Sequence, residues 1–216
     1  MDGNTDITSR RFAPKEVRKQ QLIDATLAVI AEKGVSGTTT TLVTKKAGLS
    51  AGLVNLHFEN KDNLLKATLE HLAVELRDCW QAVHEDTTLS PADKLWGIIQ
   101  ACFHPEVCTI DKVRVWFAFF GEAPYRAFYR EMVSGFDDER GDAMAALIVQ
   151  LGQSEDDAER TSDAIECLAD GLWLNMMLYP DWYGLDSSRA QIWNFLSLQF
   201  PAHFGGPVPQ DPTGAA

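Results

Sequence analysis

Gly37-Thr-Thr-Thr-Thr-Leu-Val-Thr-Lys-Lys-Ala-Gly-Leu-Ser50, followed by Ala51-Gly-Leu-Val-Asn-Leu-His-Phe-Glu-Asn-Lys61, is the stretch on which the fold turns. It reads as a short helix ending at Gly48, a two-residue step to Ser50, and a second short helix from Ala51 to His57. Two short helices joined by a tight glycine-bearing turn make a helix-turn-helix. Gly48 permits a left-handed residue, Ala47 is small where two helices cross, and Ser50 is expected to offer its hydroxyl to the amides that open the second helix. Val54 and Phe58, at i and i+4, are expected to pack inward. β-Branched residues are poor helix formers, so the threonine run needs tertiary support or a capping role for Thr38 or Thr39.

On the N-terminal side, Val17, Leu22, Ile23, Leu27, Val29 and Ile30 recur at helical spacing between Pro14 and the stop at Gly34, predicting a helix over 14–33. Residues 1–13 carry no sustained apolar period and read as a flexible basic arm, whose Arg10 and Arg11 could reach phosphates or a minor groove. Downstream, helices are predicted over 62–85, 91–103 with Ser90 as its cap, 109–121, 124–151, 154–179 and 187–200. No strand alternation competes, so the chain reads as all-α. The proline- and glycine-bearing tail over 205–216 is expected to be disordered.

Composition narrows the function. The 216 residues carry a net charge of −12, unevenly placed: ten Lys/Arg against seven Asp/Glu through Lys66, nine against twenty-four from Ala67 onward. A basic head on an acidic body suits a phosphate-facing module joined to a part that nucleic acid repels. No apolar run approaches a membrane span and the first thirty residues hold no signal-peptide core, so a cytoplasmic protein is expected. Cys79, Cys102, Cys108 and Cys167 show neither Cys-x-x-Cys spacing nor partner histidines, and read as small buried hydrophobes rather than disulfide or metal ligands. His71, His84, His104 and His203 lie far apart, and Glu122, Glu166 and Asp170 fall in no catalytic spacing. No enzyme activity, metal or cofactor is expected.

The segment Thr39-x-x-x-Val43-x-Lys45-x-Ala47-Gly48-Leu49-Ser50-x-Gly52-x-Val54-x-x-His57-Phe58-x-x-Lys61-x-x-Leu64-Leu65 resembles the DNA-binding signature of the TetR family. The resemblance implies a homodimer bound to a near-palindromic double-stranded operator, the two recognition helices standing about 34 Å apart in successive major grooves. It further implies that Thr39, His57 and Lys61 contact phosphates. From the residues themselves, Asn55 can pair with adenine N6 and N7 and Leu53 can touch a thymine methyl, with Ser50, Ala51 and Gly52 beside them. Lys45 and Lys46 either add electrostatic attraction or form a solvated surface. Ala51, Leu53 and Asn55 stand where many relatives carry threonine, lysine or tyrosine, and Thr44 replaces the usual alanine. So apolar a helix implies that DNA shape and phosphate contacts carry much of the affinity.

Behind the head the chain is dense in aromatic residues: Trp116, Phe117, Phe119, Phe120, Tyr125, Phe128, Tyr129, Trp173, Tyr179, Trp182 and Tyr183. These read either as core or, with nearby carboxylates, as a cage for a cation. The segments Lys112-Val-Arg-Val-Trp116-Phe-Ala-Phe-Phe120 and Leu168-Ala-Asp170-Gly171-Leu172-Trp173-Leu174 are similar to the C-terminal domain of the betaine-synthesis repressor (BetI) group of that family. That similarity implies a repressor of choline and glycine betaine genes, with choline or another quaternary ammonium compound as effector. The expected pocket is Trp116, Phe120, Tyr129, Asp170 and Trp173. The alternative is a repressor of a multidrug efflux or other catabolic operon with a different hydrophobic effector, and the sequence does not encode the sign of regulation. The family builds its dimer from the last two helices, here expected to use Ile165, Leu168, Leu172, Met176, Ile192, Phe195, Leu196 and Phe200. The organisation expected is an arm over 1–13, a helix-turn-helix domain over 14–60, an effector-binding and dimerisation domain over 61–204, and a tail.

Overall fold

The computed structural model describes residues 14–124 and 127–209, apart from the side chains of Phe128 and Val133. The arm over 1–13 with Arg10 and Arg11, Tyr125, the Phe128 side chain and the tail from residue 210 lie outside the described residues. Among the described residues there are ten helices and no strand: α1 (Lys15–Gly37), α2 (Thr40–Ala47), α3 (Gly52–Phe58), α4 (Lys61–Glu85), α5 (Pro91–Ala101), α6 (Ile110–Glu122), α7 (Ala127–Gln150), α8 (Glu155–Leu178), α9 (Leu185–Gln199) and α10 (Pro201–Phe204). None of them is long and apolar enough to cross a membrane. The chain divides into two compact units, Met1–His71 and Leu72–Ala216. The division falls inside α4 rather than ahead of it, because the first turns of α4 give Leu64 and Ala67 to the core of the N-terminal unit.

That core joins Leu22, Ala25 and Val29 of α1 to Val43 of α2, Val54 and Phe58 of α3 and Leu64 of α4. Gly34, at φ 70° and ψ 172°, breaks the α1 ladder where the sequence places a stop, and only a single turn follows it. Three threonines of the following segment bond locally. Thr38 is buried with its hydroxyl donating to the Gly34 carbonyl at 2.8 Å. Thr39 caps α2 by accepting from the Leu42 amide at 3.2 Å. Thr44, buried at the helix crossing, donates to the Thr40 carbonyl at 2.9 Å. Local bonds therefore offset the low helix propensity of the run. At its end Gly48 adopts φ 65°, ψ 33°, its amide reaching Lys45 O while the Leu49 amide reaches Thr44 O. This paired closure of a helix end by a left-handed glycine sets the angle between α2 and α3.

In the second unit α7 and α8 run as long neighbours, with α5 and α6 against α7 and with α6 and α9 against α8. Ser90, Thr109 and Ser154 cap α5, α6 and α8. Two indole or guanidinium groups pin the connector between α5 and α6. The Trp173 indole donates to Cys102 O at 2.9 Å, and Arg189 donates to Phe103 O at 2.9 Å. Lys112 of α6 joins both carboxylate oxygens of Glu75 on α4, at 2.6 and 2.7 Å. The start of the tail departs from the expected disorder: Trp193 stacks edge-on to Trp96 and Phe204, and its indole donates to Gly206 O at 2.8 Å. Cys102 and Cys108 are buried as expected, whereas Cys79 is half-buried and Cys167 exposed.

Candidate DNA-binding and effector sites

On α3 the side chains sort by burial. Val54 and Phe58 point into the head core, at 0% and 8% exposure, as their i, i+4 spacing predicts. Ala51, Gly52, Asn55 and Leu56 are exposed. Leu53 is half-buried and packs on the core cluster, so it is not the free apolar contact expected. Leu56 is, at 71% exposure and one position beyond Asn55. Helical periodicity agrees: Leu56 falls opposite the Val54 and Phe58 face, and Leu53 nearer its edge.

Ser50 also departs from expectation. Its hydroxyl makes no cap bond: the helix opens at Ala51, and the Ser50 carbonyl, not its side chain, receives the Leu53 amide at 3.1 Å. Ala51 already has helical angles, φ −56° and ψ −31°, so the turn is made by backbone and the Ser50 side chain is left exposed. His57 is half-buried, with Nδ1 closed off from solvent and no partner for it among the described residues. A phosphate contact by this ring runs through Nε2.

Thr39 is exposed while capping α2. Lys61, the first residue of α4, holds its ammonium 3.4 Å from the Val35 carbonyl. Asn60 caps that helix, its side-chain oxygen accepting from the Asn63 amide at 2.8 Å, a cap the sequence reading missed. Lys45 and Lys46 stand to the side of α3, lining with Val29, Glu32, Lys33 and Leu42 an open groove of about 410 Å³ between α1 and α2. Lys46 pairs with Glu32 at 2.5 Å, which holds the Glu32 carboxyl below its usual range. A lysine so paired offers less net charge to a phosphate than Lys45 does.

Lys61→Ala is therefore expected to weaken binding to all DNA sequences alike and to flatten the dependence of log K on log salt by about one unit. Asn55→Ala is expected to relax preference at one base pair by about 1–3 kcal/mol while keeping the salt slope. Electrophoretic mobility or anisotropy titrations over a salt series check both. Equal losses of slope and preference in the two variants would contradict these roles.

In the second unit Trp116, Phe120, Asp170 and Trp173 line one cavity with Leu76, Asp137 and Arg140, closed off by Cys102 and Ala169. Tyr129, the fifth residue expected there, is not among its walls. It is fully buried on α7 with its ring edge-on to Phe119 at 5.2 Å, a core position. The Trp116 ring lies 5.8 Å from Phe120 and 6.4 Å from Trp173. The bond to Cys102 O fixes the Trp173 ring, so aromatic faces are held in place before any ligand arrives.

Arg140 sits at the centre. Its side chain is only 12% exposed; Nε donates to Glu166 at 3.1 Å and Nη2 to Asp137 at 3.2 Å. Asp170 lies at the exposed edge of the same cavity. Burial pushes the carboxyls of Asp137, Glu166 and Asp170 above their ordinary values, by more than the Arg140 charge draws them down. Burial likewise raises the Cys102 thiol to about 11 and the Cys108 thiol to about 12, which leaves both inert as nucleophiles. Three carboxylates thus face one guanidinium beside fixed indole rings, an arrangement with a surplus of negative charge and several π faces. Such a surface favours a cation. Arg140 was missed because Asp137-Asp-Glu-Arg140 reads as a solvated run. Its signal is the buried Met144, Leu147 and Ile148 at i+4, i+7 and i+8, which put Arg140 on the core face of α7.

Residues 22–68 match the model for bacterial regulatory proteins of the tetR family, and residues 91–201 match that of the BetI-type transcriptional repressor C-terminal domain. The chain belongs to the TetR family. Relatives agree with a TetR-type regulator of the BetI kind. The HTH-type transcriptional regulator BetI of Paraburkholderia xenovorans is 33% identical over 167 residues, 76% of this chain and 84% of its own length. The regulator BetI 2 of Chromohalobacter salexigens is 30% identical over 191 residues, 88% and 91% of the two chains.

Solved structures align with most of the chain. A transcriptional regulator from Pseudomonas aeruginosa gives a TM-score of 0.77 at 22% identity, covering 94% of this chain and 99% of that one. One from Saccharomonospora viridis, crystallised with choline, gives 0.74 at 18% identity over 85% and 97%. This TetR-family chain is a DNA-binding transcriptional repressor and not an enzyme.

Proposed function

We propose that the protein is a homodimeric cytoplasmic repressor that holds a near-palindromic operator through α3 and its flanking phosphate contacts, and lets go when choline enters the cavity around Trp116 and Trp173. The genes it governs are then those of choline uptake and oxidation to glycine betaine. The observation that carries this reading is the cavity: fixed aromatic faces beside Asp137 and Asp170, with a guanidinium bonded to Asp137 and to Glu166 of the adjoining void. The BetI names of its relatives and the choline held by the Saccharomonospora regulator point the same way.

α4 couples the two events, since one continuous helix carries Lys61 at its first residue and Leu76 in the cavity wall. The effector shifts the population only by binding better to the conformation in which the heads miss their half-sites. A coupling of about 1–3 kcal/mol would lower operator affinity roughly 5- to 150-fold at saturating choline.

The test is a titration of tryptophan fluorescence with choline, glycine betaine and a bulky cationic dye, repeated on DNA from upstream of the protein's own gene. Saturable choline binding with loss of DNA affinity is expected; a response to the dye alone would overturn the choline reading. Choline affinity is expected to fall with pH. The free protein holds its cavity carboxyls above their ordinary values, a bound cation favours their ionised form, and so binding is strongest above their titration range and weakens as pH descends through it.

The dimer is proposed to form on α8 and α9, where Leu168, Met176 and Phe195 of the expected set are half-buried. Ile165, Leu172, Ile192, Leu196 and Phe200 are buried within the single chain and cannot serve a second copy. The outer stripe of α8 can: Ala164, Cys167, Gly171, Leu174 and Leu178 recur at i+3 and i+4, all exposed and uncharged, with Leu198 of α9 at 80% exposure. Leu174→Asp is expected to give a monomer by sedimentation and to lose operator binding.

A further inference from the structure

Resting on the cationic-effector reading, a second feature of the cavity is what already occupies it. Its volume is about 30 Å³, with two adjoining voids of about 10 Å³ each. Such a space admits roughly one water molecule. A trimethylammonium group needs more, so a wall must move. Arg140 lines all three voids, and among the described residues its guanidinium bonds to the side chains of Glu166 and Asp137. The Trp116 and Trp173 rings are core side chains, the second pinned by its indole bond. Arg77, which lines one of the smaller voids, bonds to Asp78 and lies 5.7 Å from the Phe136 ring centre.

We propose that Arg140 is the resident cation of the effector site: it fills the carboxylate and aromatic pocket in the ligand-free protein and is displaced by the effector's ammonium group. The two cations compete for the carboxylates of Asp137 and Glu166, with Asp170 at the edge of the same cavity, and the space vacated by the guanidinium is the space the effector needs. Displacement also breaks the Arg140–Glu166 bond, which links α7 to α8. Ligand entry is thereby read as a loosening between these two helices. Specificity follows, since only a ligand whose positive charge replaces that of the guanidinium leaves the carboxylates compensated.

Choline affinity of the full-length protein, measured by calorimetry for wild type, Arg140→Met and Arg140→Lys, tests the competition. Arg140→Met is expected to bind choline at least about tenfold more tightly than wild type, because no resident charge opposes entry. Arg140→Lys, which keeps a competing charge, should stay within about threefold of wild type. Equal or weaker binding by a folded Arg140→Met protein would overturn the proposal, and weaker binding would instead assign Arg140 to anchoring.

Because the Met variant leaves three carboxylates uncompensated, the wild-type chain supplies a second readout. The Arg140 Nε–H resonance, assigned by its absence in Arg140→Lys, should be protected from exchange in the free protein and lose that protection at saturating choline. Persistence of the protected signal would overturn the displacement. Failure of wild type and both variants to bind choline would overturn the effector reading itself, whereas wild-type binding without these changes overturns only the role of Arg140.

Discussion

Phe58→Ala is expected to abolish operator binding while leaving the effector domain intact. Phe58 closes the small core of the head, where it meets residues from α1, α2 and α4. Truncating a buried phenylalanine costs about 3–5 kcal/mol through lost burial and the cavity left behind. A unit as short as Met1–His71 has little stability to lose, since small domains bury a modest share of their surface. The head should therefore melt at ordinary temperature. All six tryptophans lie between Trp80 and Trp193, so their fluorescence reports the other unit alone. A choline titration followed by tryptophan should look like wild type even as mobility shifts disappear and far-ultraviolet dichroism loses the helices of the head. Phe58→Leu, which keeps most of the volume, should restore binding in large part. Wild-type DNA affinity in the Ala variant would mean that α3 is held by something other than this core.

The contrast between the two units explains what the sequence made legible. The head is built from local devices, each with a short-range signature: a left-handed Gly48, a capping Thr39, an i, i+4 buried pair in Val54 and Phe58. Its elements and inward faces could be read directly. What escaped was the division of labour within one turn: Leu53 packs on the core while Leu56 stays exposed, and the helix opens at Ala51, so the Ser50 carbonyl and not its hydroxyl takes the first amide.

The cavity proposed for the effector gathers residues from α4, α6, α7 and α8, of which the aromatic residues and Asp170 were legible in the sequence. Asp137 and Arg140 were hidden in a charged run whose helical face is legible only once Met144, Leu147 and Ile148 are counted with it. Tyr129 failed for the opposite reason. An aromatic ring near a pocket and an aromatic ring in a core have the same sequence signature. The dimer face is proposed on a stripe that mixes small residues, Ala164, Cys167 and Gly171, with Leu174 and Leu178, and a count of large apolar residues passes over the small ones.

The second large effect is expected at Trp173, and a pair of substitutions separates its two roles. Trp173→Phe keeps a ring face but deletes the indole N–H that binds Cys102 O. Trp173→Leu deletes both and keeps an apolar side chain in the core. A desolvated cation–π contact is worth about 2 kcal/mol or more, so Trp173→Leu should lose about thirtyfold or more in choline affinity. Trp173→Phe should lose far less, the cost being a slackened ring and an unpaired buried carbonyl. Neither change touches the head, so both proteins should hold operator DNA like wild type in the absence of ligand, and the Leu variant should stay bound at choline concentrations that release wild type. A repressor that no longer hears its effector is the phenotype to look for, by calorimetry for choline and anisotropy for DNA. Wild-type release in Trp173→Leu would remove the aromatic wall from the mechanism. Equal losses in the two variants would reassign Trp173 from ligand contact to holding the α5–α6 connector in place.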